Sequence, residues 1–96
     1  MEREKLRSII ESLLFVSDAT LNVDKLSSVI EGVEKKEIQS ALRDLQSEYE
    51  NQERGIRLTE VAGGYQLRTP KENSDWIRSL LRSKAARMSK PTLETL

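Results

Sequence analysis

Apolar residues in the first part of the chain recur at helical spacing. Between Glu2 and Val16 they fall at i, i+3, i+4, i+7 and i+8, which places them on one stripe of a helix. The residues of this stripe are Leu6, Ile9, Ile10, Leu13 and Leu14. The pattern predicts a first helix that ends at Ser17-Asp18.

A second, shorter helix is predicted to begin after Asn22, whose side chain can accept a hydrogen bond from a free amide of the first turn. The expected buried face consists of Leu26, Val29 and Ile30. Gly32 can take the left-handed conformation that ends a helix at little cost. The sequence therefore predicts two helices joined by a short turn.

A third helix is predicted after Glu34, which is a poorer N-cap than Ser or Asp. Its core-facing positions share one helical face; they are Ile38, Ala41, Leu42, Leu45 and Tyr49. The pattern ends near Glu50-Asn51. Helices two and three together resemble a helix-turn-helix.

The apolar period then changes from helical to two-fold. Residues 56–59 and 65–69 alternate apolar and polar side chains, which is typical of strands. Gly63-Gly64 between them predicts the tight turn of a hairpin, and Pro70 ends the second strand. Residues 19–21 are a candidate third strand.

A last helix is predicted for residues 72–87. Its apolar face is formed by Trp76, Ile77 and Leu80, with Leu81 at the edge. The order helix, helix, helix, hairpin, helix predicts a mainly α winged helix-turn-helix domain over residues 1–88. Ser89-Lys90-Pro91 interrupts the pattern, and residues 92–96 look like the first turn of a further helix.

Composition excludes several classes of function. The 96-residue chain has no Cys and no His, so thiolate zinc sites, Cys nucleophiles and histidine bases are excluded. No arrangement of Ser, carboxylate or Gly-rich loop points to catalysis or to a cofactor. The N-terminus leads into an amphipathic pattern without the apolar stretch of a signal peptide, so a cytoplasmic protein is expected.

Charge bears on nucleic-acid binding. The chain has 16 basic and 16 acidic residues. Residues 34–54, which include the third helix, contain four basic and six acidic residues, and this disfavours groove reading by that helix. Residues 76–96 contain five basic residues and one acidic residue. The candidate nucleic-acid contacts are therefore Arg78, Arg82, Lys84 and Arg87, although cations are also favourable near a helix C-terminus.

A few large side chains are candidates for contact with a protein partner. Phe15 lies about 180° from Leu6 on the first helix, outside the core stripe. It packs either on the hairpin of its own domain, the simpler interpretation, or on a second copy. Candidate partner-binding positions are Leu14, Phe15, Tyr65 and Trp76, the last two of which also suit a core.

Several segments resemble the family of segregation and condensation protein B, a bacterial condensin accessory subunit. They are residues 8–17 (SIIESLLFVS), 42–49 (LRDLQSEY), 55–69 (GIRLTEVAGGYQLRT) and 93–96 (LETL). The stretch EVAGGY at residues 60–65 is the more specific part. The resemblance spans essentially the whole chain and corresponds to the first of two winged-helix domains, so residues 89–96 are expected to be a linker and the truncated start of the second.

The resemblance implies a non-enzymatic role in chromosome condensation and partition during cell division, in the nucleoid. It also implies homodimerisation through this domain, and binding to the kleisin subunit, segregation and condensation protein A, which connects to the SMC ATPase. Direct DNA binding is expected to be weak or absent. The resemblance further implies that much of the kleisin contact lies in the missing second domain, so this fragment is expected to dimerise but to bind kleisin weakly. Glu34 replaces the usual capping residue. The alternative is a fragment of a DNA-binding winged-helix transcription regulator.

Overall fold

The computed structural model describes residues 1–51 and 53–83. The helices α1 (Arg3–Val16), α2 (Val23–Val29) and α3 (Lys35–Glu50) precede an antiparallel hairpin of β1 (Arg57–Val61) and β2 (Gly64–Arg68). A 3-10 turn at Lys71–Asn73 leads into helical residues 74–83, here called α4. This order confirms the predicted winged helix, with the hairpin as the wing.

The first three helices and the hairpin close over one apolar core. On α3, all five predicted core positions are buried. On α1, Leu6, Ile10 and Leu14 are buried, and Ile9 and Leu13 pack partly buried against them. Leu58 and Tyr65 add the inner face of the hairpin. A shared core explains why a two-stranded hairpin, which is marginal alone in water, is stable here.

The predicted beginning of α2 is confirmed, but its predicted buried face is partly wrong. The Asn22 side chain accepts a hydrogen bond from the backbone N–H of Lys25 at 2.7 Å, and Gly32 has φ +80°. Val29, however, is exposed. Ile30 has left the helix with φ −96° and ψ 91°, so it reaches the core from an extended backbone. Val29, the last residue of α2, and Ile30 therefore do not share one helical face.

The hairpin turn lies one residue earlier than predicted. Val61 pairs with Gly64 across the hairpin, so the two loop residues are Ala62 and Gly63. Both have positive φ, 50° and 80°, as a tight two-residue turn requires. Gly64 lies in β2, where a Cβ atom would be 2.9 Å from Thr20 Cβ. Gly64 is thus needed for a close approach and not for the turn.

The predicted third strand is reduced to a single bridge. Leu21 exchanges two backbone hydrogen bonds with Tyr65, at 2.8 Å and 2.7 Å. The close contact between Thr20 and Gly64 lies beside this bridge. The segment before α2 is therefore fixed to the edge of β2 without forming a longer ladder.

The apolar face predicted for the last helix does not enter the core. Trp76 is 78% exposed and Leu80 is 62% exposed, while Ile77 is half-buried. The expectation that Trp76 would fit a core face is therefore wrong. The predicted helix end at 87 and the predicted boundary between residues 88 and 89 lie outside the described residues.

Candidate functional site

Polar contacts join α1 to the outer edge of α3. Arg3 donates to Asp44 with 2.8 Å between the guanidinium nitrogen and the carboxylate oxygen, and Arg7 is paired with Glu48 one turn later. Asp44 and Glu48 stay about half exposed, so α1 pairs with this edge of α3 without covering it. The helix that reads a DNA groove in many winged helices is partly occupied by its own neighbour.

Tyr49 continues this row of contacts and links it to an apolar groove. Its hydroxyl donates to the Glu11 carboxylate, and the Arg54 guanidinium lies 5.3 Å from the ring centroid. Burial, and then the hydrogen bond to Glu11, raises the pKa of Tyr49 to about 12. The ring is thereby held in place as part of the groove floor.

The groove lies between the last turn of α1 and the base of the hairpin and has a volume of ≈ 590 Å³. Leu14 and Tyr49 form its buried base, and Ile56 and Leu67 line the hairpin side. Phe15, 79% exposed, projects beside it, and Val16 is similarly exposed. Such a cluster of exposed apolar side chains marks a contact surface more often than a solvated one.

A second apolar surface, the α4 face, is formed by Trp76, Leu80 and Leu81, all of them exposed. The α4 helix begins at the same end of the hairpin as the groove, since Pro70 and Asn73 share a cavity with Gly55. Two unburied apolar surfaces therefore lie near the same end of the domain.

The four predicted partner-binding residues divide into two pairs. Leu14 and Tyr65 are 3% and 9% exposed and belong to the core, although Leu14 also lines the base of the groove. Both are held in the core by the helical stripe and by the bridge to Leu21. Phe15 and Trp76 are exposed, and the interpretation that Phe15 packs within its own domain is wrong.

Sequence reasoning did not identify three further apolar residues that line the groove as part of a possible site: Val16, Ile56 and Leu67. The available signal was that Phe15 and Val16 are adjacent apolar residues at the end of α1, outside its core stripe. No helical pattern could show that residues of the hairpin would lie opposite them.

The predicted nucleic-acid contacts gain little support. Arg78 pairs with Asp75 on its own helix at 2.9 Å, and Arg82 is exposed. Lys84 and Arg87 lie outside the described residues. Among residues 1–51 and 53–83, no cluster of acidic side chains is suited to holding a metal ion, and none of the helices described there could cross a membrane.

Comparison with known proteins identifies similar sequences over the whole chain. The family model described as "Segregation and condensation complex subunit ScpB" matches residues 8–96. Segregation and condensation protein B of Myxococcus xanthus is 38% identical over 96 residues, which are 100% of this chain and 29% of that protein. The Clostridium tetani protein of the same name is 43% identical over 100 residues, covering 99% of this chain and 51% of that protein.

Solved structures agree with the fold. A crystal structure described as a dimer of the ScpB N-terminal domain complexed with ScpA peptide is 32% identical, with a TM-score of 0.73, and the match covers 80% of this chain and 95% of that one. ScpB from Mycobacterium tuberculosis, at 22% identity and a TM-score of 0.83, supports the fold alone; the match covers 88% of this chain and 52% of that one. The chain spans roughly a third to a half of the length of the curated relatives it matches.

Proposed function

Because this chain belongs to the family of the segregation and condensation complex subunit ScpB, we propose that it is a non-enzymatic protein-interaction domain of a bacterial SMC–kleisin complex. In this role it self-associates and contacts a segment of ScpA during chromosome condensation and partition. That role would place it in the cytoplasm at the nucleoid. The observation that carries the proposal is a compact core beside which two apolar surfaces are left uncovered.

Self-association is supported by the exposed apolar side chains. In a domain whose core residues are almost fully buried, Phe15 and Trp76 are about four-fifths exposed. Large aromatic side chains are frequent anchors of protein interfaces, and exposing them to water is unfavourable by about 25 cal/mol for each Å². The 32% identical structural neighbour is itself a dimer, which agrees with such an arrangement.

Contact with ScpA is supported by the same neighbour, which is complexed with an ScpA peptide. The match covers 95% of that domain, so an equivalent surface would be present in this chain. Catalysis lacks support, because the family is one of segregation and condensation subunits and the sequence has neither His nor Cys.

The ScpA contact is tested by isothermal titration calorimetry of the whole chain with the matching ScpA segment of the same organism. We expect saturable binding with a Kd below about 100 µM, equivalent to at least roughly 5 kcal/mol. A scrambled peptide of the same composition is the control. Equal heats for the matched and scrambled peptides would contradict the proposed ScpA contact.

Duplex DNA binding is the weaker candidate. Asp44 and Glu48 bring negative charge to α3. Their ion pairs engage Arg3 and Arg7 of α1, so these two arginines are not available to contact a DNA phosphate. We expect no band shift of duplex DNA at low salt. A DNA band shift that weakens steeply as salt is added would favour the alternative, a DNA-binding transcription regulator, instead.

A further inference from the structure

The groove and the α4 face are both uncovered in one chain, and neither covers the other. If α4 lay in the groove of its own domain, Phe15 and Trp76 could not both be about four-fifths exposed. α4 begins at the same end of the hairpin as the groove, where Arg57 is paired with Glu72 at 3.9 Å. A helix whose apolar side is not covered by its own domain is suited to packing against a second copy of the chain.

If fully buried, the exposed apolar area would reach the size of a specific dimer interface. The exposed parts of Phe15, Val16, Trp76, Leu80 and Leu81 amount to roughly 700 Å² in one copy. Because a two-fold contact uses the same surfaces on both copies, about 1,400 Å² would be buried in total, within the range of specific interfaces. If the groove met only the groove of the second copy, or the α4 face only the second α4 face, about half of that area would be buried.

On this basis, and resting on the self-association proposed above, we propose that the two copies exchange α4. The α4 face of each copy occupies the groove of the other. Trp76 enters beside Phe15 of the second copy, and Leu80 follows one turn later. Since both contacts are made at once across a two-fold axis, the assembly closes at two copies and leaves neither surface free to form open chains.

Disulfide cross-linking tests this exchange, because the chain has no cysteine of its own. Ser12 lies on the groove wall, and Ser83 lies on the same side of α4 as Trp76, seven residues later. The variants Ser12→Cys and Ser83→Cys are mixed under mild oxidation, one of them carrying a small tag so that the mixed dimer is resolved on a gel. Ser28→Cys, on the exposed side of α2, replaces Ser12→Cys in the control.

We expect the mixed disulfide between positions 12 and 83 to exceed either homodimer by at least about tenfold, because a disulfide needs Cα atoms within about 7 Å. The Ser28→Cys control should give background levels. Sedimentation of the wild-type chain accompanies the test. A wild-type dimer without the mixed disulfide would overturn the exchange and leave self-association standing, whereas a wild-type monomer would overturn both.

Two other occupants of the groove give distinct results. In the double variant Ser12→Cys/Ser83→Cys, a disulfide within a monomer would mean that α4 fills its own groove. A mixed disulfide that forms without the ScpA segment, but fails to form when the segment is added before oxidation, would support the exchange and show that the segment competes with α4 for the groove. A disulfide within the monomer would overturn the proposed exchange.

Discussion

Gly64→Ala is expected to destabilise the domain through a steric contact. The added Cβ would lie 2.9 Å from Thr20 Cβ and 3.0 Å from Thr20 Oγ1. Both distances are shorter than ordinary van der Waals contact, and overpacking of this kind typically costs about 1–3 kcal/mol. Gly64 is paired with Val61 in the hairpin, and the Leu21–Tyr65 bridge lies next to it. The chain therefore has little room to relax without loosening that bridge.

A double-mutant cycle isolates this contact. Thr20→Gly removes both clashing atoms, after which the nearest remaining neighbour of the new Cβ is the Leu21 carbonyl carbon at 3.4 Å. The double variant Gly64→Ala/Thr20→Gly should therefore be more stable than the sum of the single changes predicts, by at least about 1 kcal/mol. Gly55→Ala is the matched control, because its Cβ would meet nothing within 4 Å.

Urea unfolding followed by far-ultraviolet circular dichroism measures these free energies. Trp76 fluorescence is a poor probe of unfolding because that side chain lies outside the core of its own chain, and in the proposed dimer it would report on dissociation. Protein concentration is held constant, since self-association adds to apparent stability. We expect Gly55→Ala to be neutral or slightly stabilising. If Gly64→Ala were no more destabilising than Gly55→Ala, the close approach of Thr20 to β2 would be refuted.

The remaining predictions concern Tyr49 and the helix caps. The pKa of Tyr49 is raised from 10.0 to about 12 on folding, so the associated stability, about 3 kcal/mol, should be present below pH 10 and lost between about pH 10 and 12. Urea midpoints across that range should fall less for Tyr49→Phe than for wild type, and equal falls would contradict the assignment. Asn22→Ala should lower the free energy of unfolding by about 1 kcal/mol. Glu34→Ser should raise it by about 0.5–1 kcal/mol, because the introduced serine and Glu37 would form a capping box; thermal melts giving the same sign for both cap variants would contradict this.

The helices of this domain were predictable because each carries its own local signal. The stripe of α3 gave all five of its buried residues, and the Asn22 cap was confirmed by its hydrogen bond to Lys25. Where the backbone left the expected period, prediction failed. Ile30 reaches the core from outside the helix, and Val29, the last residue of α2, is exposed, so it was wrong to place the two on one buried helical face.

Positions decided by contacts distant in sequence were harder to predict. A Gly-Gly pair is a turn signal, but Ala62 can adopt positive φ, and the close approach of Thr20 determines that Gly64 belongs to the strand. No local pattern contains that contact. The candidate site has the same origin, because Phe15 and Ile56 line one groove only after the hairpin packs beside α1. The sequence identified Phe15 and Trp76 but could not show which candidates the core would bury.

Sedimentation equilibrium of the whole chain tests most directly whether the uncovered apolar surfaces serve a second copy. At micromolar concentrations we expect a species of twice the 11.0 kDa chain mass. Trp76→Ala should raise the dissociation constant at least about tenfold, as loss of an aromatic anchor does, while Val29→Ala, another exposed apolar residue but on α2, should leave it unchanged. A monomer at every concentration, or equal weakening by both variants, would contradict this account.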